Sequence, residues 1–521
     1  MEKEHRILKS VASIGIVTAC SRVFGYVRDA VLAWALGATL SMDAFSVAYR
    51  LANLFRRLVG EGAMSAAFVP VFIQYRKENS EAELWEFARK FFYTLALISG
   101  AIVVLEVMFA PFIVRIMAPG FLGVPGKMEL TILLTRIMAP YLVFVSLTAL
   151  VMGVLNSLGS FTVPAAGPIF FNVAVIVSAV ASSFLMRDPV TGIAAGVLLG
   201  GVFQFACQLP VVARHGMNFK IGFSFSHPAI RKTGLLLAPS IFAIGIVQIN
   251  LLVDSLLASF LREGSVSQIY YADRIVELVL GIFTVSLATV ALPEMSRSVA
   301  EKKIGDLKET VLFSLRTTAF VAIPATMGLF FLAEPIVHVL FERGRFSSLD
   351  TDRTALTLAF LCLGLFFTAA VRFLVSAFYA FQDTRTPVKI AFIALMVNAT
   401  LDFILMHPLK QAGLALSTSI TSALSFTQLL IQLEKKCGAF EWGQMRRGLV
   451  KMTGASLVMS AACWGILKLS HYSPAQSILW KAFCLGASIG GGVLVYLAMM
   501  ALFGADELKF FLKQKVIPSK L

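Results

Sequence analysis

Apolar runs of about 20 residues recur from one end of this chain to the other, and a run of that length, coiled as a helix, matches the hydrocarbon thickness of a bilayer. About fourteen such spans can be laid out, near residues 8–36, 42–74, 89–118, 129–156, 163–186, 190–213, 233–261, 267–298, 311–341, 353–381, 387–406, 411–433, 449–469 and 478–503. The segments between them are short, so no separate soluble domain fits. Only 14% of the residues are charged and 58% are hydrophobic, against roughly a quarter charged in soluble domains. The expected fold is therefore an all-α polytopic membrane protein. The first apolar run continues past the point where a signal peptide would be cut, and it reads as a retained helix.

An even number of spans puts both ends of the chain on one side, and Lys and Arg choose the side. Basic residues gather at Lys3, Arg6 and Lys9, at Arg76, Lys77, Arg89 and Lys90, at Arg214, Lys220, Arg231 and Lys232, at Lys302, Lys303 and Lys308, at Lys435, Lys436, Arg446, Arg447 and Lys451, and in the tail at Lys509, Lys513, Lys515 and Lys520. These segments and both termini are expected on the cytoplasmic side. The same bias accounts for the net charge of +15, and with no nucleic-acid module in the chain no nucleic-acid partner is expected. The six cysteines and six histidines are scattered without ligand or redox spacing, so no bound cofactor is expected.

The chain also repeats itself. Tyr49-Arg50 followed by Pro70 recurs as Asp273-Arg274 followed by Pro293, and Pro164 after a polar turn recurs as Pro387, each shifted by about 223 residues. An even number of spans per repeat implies two parallel six-helix repeats. The expected organisation is an N-terminal six-helix lobe over 1–220, a C-terminal lobe over 221–440, and two additional transmembrane helices with a tail over 441–521. Parallel duplicated bundles are a common transporter plan. The last two spans read as lacking embedded charge and as facing lipid.

Ionisable residues inside the spans are the informative exception, because a charge at the bilayer centre costs ~2.5–3.5 kcal/mol on insertion scales. Arg22, Arg28 and Asp29 lie on the first span, and Arg50, Arg56, Arg57 and Glu61 on the second. Arg50, Asn53, Arg57 and Glu61 step by three or four and share a helix face. Asp273, Arg274 and Glu277 lie on the eighth span. One reading is internal ion pairing, Arg57 with Glu61 and Arg274 with Glu277. The other is an anion-binding cavity, because arginine outnumbers acid on the first two spans and its planar fork of donors suits a diphosphate. A second constellation is oxygen-rich: Asp254 on the seventh span, Asn398 and Asp402 four apart on the eleventh, and Thr418 on the twelfth. Such hard ligands suit sodium or a proton as a coupling ion, and a buried Asp–Asn hydrogen bond is the plainer alternative.

Four stretches, SRVFGYVRDA (21–30), MDAFSVAYRLANLFRRLVGEGAMSAAFVP (42–70), YYADRIVEL (270–278) and DTRTPVKIA (383–391), resemble the MurJ (MviN) lipid II flippases of bacteria, part of the multidrug/oligosaccharidyl-lipid/polysaccharide exporter superfamily. The resemblance covers essentially the whole chain. It implies a non-enzymatic carrier in the bacterial cytoplasmic membrane that flips lipid II, an undecaprenyl-pyrophosphate-linked disaccharide-pentapeptide, by alternating access, with membrane lipids and other cell-wall synthesis proteins as companions. It implies substrate-binding roles for Arg22, Arg28, Asp43, Arg56, Arg57, Glu61 and Arg274, a sodium site at Asp254, Asn398, Asp402 and Thr418, and a lipid-tail groove on the last two helices. The alternatives are a flippase for another polyprenyl-linked glycan, a cation-coupled drug exporter of the same fold, or a polyprenyl-phosphate glycosyltransferase. The exporter would want an acidic cavity, and the transferase catalytic acids on an accessible outer loop.

Overall fold

The computed structural model describes residues 2–58, 64–473, 476–505 and 507, and every regular element among them is helical. The chain divides into two compact units, Met1–Ser267 with Arg343–Phe346, and Gln268–Glu342 with Ser347–Leu521.

The first unit holds α1 (Glu2–Leu36), α2 (Leu40–Phe55), α3 (Met64–Glu78), α4 (Glu81–Met117), a 3-10 turn at Pro119–Gly123, α5 (Lys127–Met138), α6 (Tyr141–Ser157), α7 (Thr162–Leu185), α8 (Val190–Ala206), α9 (Leu209–Arg214) and α10 (Pro228–Ser259). It ends in the first turn of α11 (Ser265–Ala300). Ser80 caps α4 by accepting from the Glu83 amide, while the Glu83 side chain reaches back to Ser80, the reciprocal arrangement that satisfies two orphan donors. The unit's core is aromatic: Phe68 on α3 stacks on Phe87 and Phe91 of α4, with centroids 5.8 and 5.1 Å apart, over Leu150, Val151 and Val154 of α6. On α8, Gly196 allows the backbone to close on α7, since a β-carbon there would fall 2.4 Å from Ser178 Cβ. Small residues of this kind let helices approach where lipid supplies no hydrophobic drive between them.

The second unit comprises the rest of α11 and α12 (Ile304–Phe331), α13 (Ala333–Phe341), α14 (Ser348–Cys362), α15 (Leu365–Ala380), α16 (Arg385–Leu409), α17 (Gln411–Cys437), α18 (Trp442–Leu469) and α19 (Ile478–Leu502). Helices α14 and α15 meet at a 41° bend, and the bend has a cause. Gly364 sits where a β-carbon would lie 2.8 Å from the Cα of Ser419 on α17. The Ser419 hydroxyl lies 2.7 Å from the carbonyl of Phe360 at the break and 3.1 Å from that of Leu361, which also accepts from the Gly364 amide at 3.2 Å. A broken helix survives inside a membrane only when such groups are satisfied by neighbours. The last two helices are tied at both ends. Near the start of α19, Lys481 Nζ meets His338 Nε2 of α13 at 3.2 Å, and His338 Nδ1 meets the Tyr472 hydroxyl at 2.6 Å. Beyond the other end, Glu507 accepts from Nε and Nη2 of Arg316 on α12 at 2.9 and 2.6 Å, and Arg316 also donates to Gln444 of α18.

Among the described residues nine helices or joined helix pairs are long and apolar enough to cross a membrane, ten counting α14–α15 as one. The chain is thus a multi-pass helical membrane protein. Outside that count fall α1, α10, α11 and the pair α2–α3, the elements carrying Arg22, Arg28, Arg50, Asp254 and Arg274. Two expected spans are broken: 353–381 bends at Gly364, and 311–341 stops at Phe331 before the separate α13. The final span is not free of embedded charge, because Lys481 is buried. His338 offers it a partner from a segment distant in sequence.

Candidate functional site

In the first unit the half-buried arginines sit on α1 and α2 and in the turn that ends α2, Asp254 sits on α10, and Glu106 is buried on α4. Arg28 is nearly buried, with 11% of its side chain exposed. Its Nε and Nη2 donate to Asp29 Oδ1 at 3.0 and 2.7 Å. Its Nη1 donates to Asn172 Oδ1 on α7 at 3.1 Å, and the guanidinium lies 6.0 Å from the centre of the Tyr49 ring. Arg22 is half-buried on α1, and Arg57 is half-buried in the wide turn that ends α2. Arg56 Nε donates to Asn53 Oδ1 at 2.7 Å. Arg50 reaches α10, where Nη1 donates to the Leu251 carbonyl at 3.0 Å and to the Ser255 hydroxyl. Glu61 lies outside the described residues, and with it the expected Arg57–Glu61 pair.

Asp43 is completely buried. It accepts from Lys127 Nζ at 2.8 Å, from the Gly264 amide at 2.8 Å, and from the Ser267 amide and hydroxyl at 2.9 and 2.5 Å. Lys127 in turn lies 4.1 Å from the centre of the Phe121 ring. The structure therefore surrounds Asp43 with donors from three segments, an arrangement that ties α2, α5 and the start of α11 together. Asp254 is half-buried on α10.

In the second unit Arg274 is held by its own helix. Nη1 lies 2.7 Å from Glu277 Oε2 and Nη2 lies 3.5 Å from Asp273 Oδ2, with the Tyr270 ring 5.0 Å away. The expected Arg274–Glu277 ion pair is formed, and Arg28 is paired with its chain neighbour Asp29. The oxygen-rich group gathers on α16 and α17. Asn398 Nδ2 donates to Ser417 Oγ at 2.9 Å, and Ser417 Oγ donates to the Asn398 carbonyl at 3.1 Å. Asp402 is fully buried one turn on, and Thr418 Oγ1 donates to Leu414 at 3.1 Å. Among the described residues no three His, Cys, Asp or Glu side chains are placed to hold a metal ion. Sequence reasoning missed Asn172, Lys127 and Ser417. Asn172 had one available signal: an amide in an otherwise apolar run.

With every regular element among the described residues helical and nine or ten of them apolar enough to cross a membrane, the chain falls in the class of multi-pass helical membrane proteins. The fold is that of known exporters: an inward-facing multidrug resistance MATE family transporter of the MOP superfamily superposes with a TM-score of 0.67 over 80% of this chain and 96% of its own, at 16% identity. Residues 32–483 match the family described as lipid II flippase MurJ. The chain is 35% identical over 507 residues to the probable lipid II flippase MurJ of Vibrio cholerae serotype O1, covering 96% of each. It also resembles a solved lipid II flippase MurJ in an inward closed conformation, with a TM-score of 0.78 and 28% identity over 95% of this chain and 99% of that one. This chain belongs to the MurJ lipid II flippase family.

Proposed function

We propose that the chain is a transporter, not an enzyme, and that it flips lipid II from the cytoplasmic to the outer leaflet of the bacterial cytoplasmic membrane. The observation that carries the reading is the setting of Arg28: a guanidinium on a membrane helix, oriented from two sides by Asp29 and Asn172. A bidentate guanidinium matches phosphate oxygens, and the headgroup diphosphate carries more charge than the single carboxylate of Asp29. The diphosphate can therefore exchange with Asp29 as the site is exposed first to one side and then to the other. Arg22, Arg56 and Arg57 add positive charge on the neighbouring stretches of α1 and α2. Arg274 enters with its own two acids, which makes an internally paired, structural role the competing reading for that residue. With α2–α3, α5–α6, α8–α9, α12–α13 and α14–α15 each taken as one pass, the chain crosses about fourteen times and returns both termini to the cytoplasm. Asn398, Asp402 and Thr418 remain candidate sodium ligands on the α16–α17 pair, and Asp254 a candidate on α10.

Arg28→Ala tests the reading in cells that depend on this chain. Lipid II should stay on the cytoplasmic leaflet and growth should stop, with the protein still present in the membrane. Normal growth and normal leaflet distribution in that variant would overturn it. If purified protein moved an undecaprenyl-linked glycan lacking the peptide just as well, the alternative cargo would be favoured.

A further inference from the structure

Arg28 cannot place its own guanidinium. It sits on one face of α1 with Ser21 and Gly25, and that face meets α7 at Asn172. Asn172 is 5% exposed and uses both ends of its amide. Its carbonyl oxygen accepts from Arg28 Nη1 at 3.1 Å, and its nitrogen donates to the Ser21 carbonyl at 3.3 Å. Gly25 lies between these two contacts, and a β-carbon there would lie 3.5 Å from Asn172 Nδ2, an ordinary packing distance, so the amide rests directly against α1. The amide accepts and donates from two separate atoms without carrying charge. Aspartate would accept from Arg28 but would add a second carboxylate beside the one at Asp29. Leucine would leave the guanidinium edge and the carbonyl facing hydrocarbon.

We propose that Asn172 is a positioning residue for diphosphate recognition. It fixes the plane of the Arg28 guanidinium from α7, and its neutrality preserves the positive charge that the headgroup meets. The inference rests on the proposed function, since it assigns Arg28 to the headgroup.

The test uses the purified full chain and three measurements: the thermal midpoint, the affinity for lipid II in detergent micelles with inorganic pyrophosphate as competitor, and concentration-dependent translocation in vesicles. Asn172→Asp is nearly isosteric and keeps the acceptor. It should leave the midpoint unchanged and weaken binding by about tenfold, the equivalent of one lost charge-assisted contact, with the half-saturating concentration rising more than the maximal rate falls. The double variant Asp29→Asn with Asn172→Asp moves the carboxylate across the guanidinium and restores the local charge, so affinity should recover. A residue that merely joined α1 to α7 would lower the midpoint in Asn172→Ala and Asn172→Asp alike, leave affinity per folded molecule intact, and show no recovery on charge transfer. Any of these results would overturn the proposal. If Asn172→Ala or Asn172→Asp does not fold, Asn172→Ser, which keeps a hydroxyl acceptor and donor, is read by the same criteria. Arg28→Ala separates the two levels: intact lipid II affinity in that variant refutes the proposed site itself. Lost affinity there with unchanged affinity in the Asn172 variants refutes only the present inference.

Discussion

The buried pair of Asp43 and Lys127 shows how much a single residue's role depends on partners that chain position hides. Both side chains are at most 2% exposed, and a broken buried pair leaves a charge with no opposite charge nearby. Lys127→Met should cost about 3–5 kcal/mol and lower the thermal midpoint clearly in detergent. Asn at 43 in the same chain should return part of that loss, whereas an unchanged midpoint would refute the pairing. Asp43 entered the reading only through the resemblance of the stretch that contains it, and Lys127, at the edge of another span, gave no sign of pairing with it. The arginines of α1 and α2 were legible for the opposite reason, since a charge inside hydrocarbon identifies itself. Asn172 stayed hidden because a neutral amide barely disturbs hydropathy. Asp383, in the connector before α16, makes a pH-dependent case. A hydrogen bond from Lys436, then the Thr386 amide and hydroxyl, hold its carboxyl well below the usual carboxylate range. A depressed folded value means that the contribution is present above the unfolded value near pH 4 and fades as pH falls toward the folded one. Asp383→Ala should therefore lower the midpoint at pH 7, and the gap to the unsubstituted protein should narrow in acid. A gap that widened in acid would reverse the sign of the argument.

At the scale of the element, the spans were readable and their breaks were not. Length and apolarity identify a membrane helix, but the same signal runs unbroken through Gly364, because the reason for the bend lies on α17. There the Ser419 hydroxyl lies within bonding distance of two carbonyls near the break. Gly364→Ala should push the backbones apart, since its new carbon would meet the Ser419 Cα at 2.8 Å. Ser419→Ala should cost about 1–3 kcal/mol for the Phe360 carbonyl left without that donor. Thermal unfolding of both variants checks the account, and if only Gly364→Ala were destabilised, the hydroxyl would have no part in it. Likewise α13 was absorbed into the preceding apolar run, although Leu332 separates it from α12.

For the whole molecule, sequence periodicity revealed the helical membrane class, while the pairing of helices within each unit needed three dimensions. Orientation is the property at this scale that a simple experiment settles. With exposed Cys20 and half-buried Cys207 replaced by Ser, a cysteine at Lys303 should react with an impermeant maleimide only after the cytoplasmic membrane is opened, and one at Asp188 should react from outside. The opposite pattern would invert the topology inferred from Lys and Arg. The clasps on the final helix pair have one more consequence. With Lys481 fastened to α13 and Glu507 to α12, α18 and α19 are moored fore and aft, and they travel with α12 and α13 as a boat made fast at bow and stern travels with its dock.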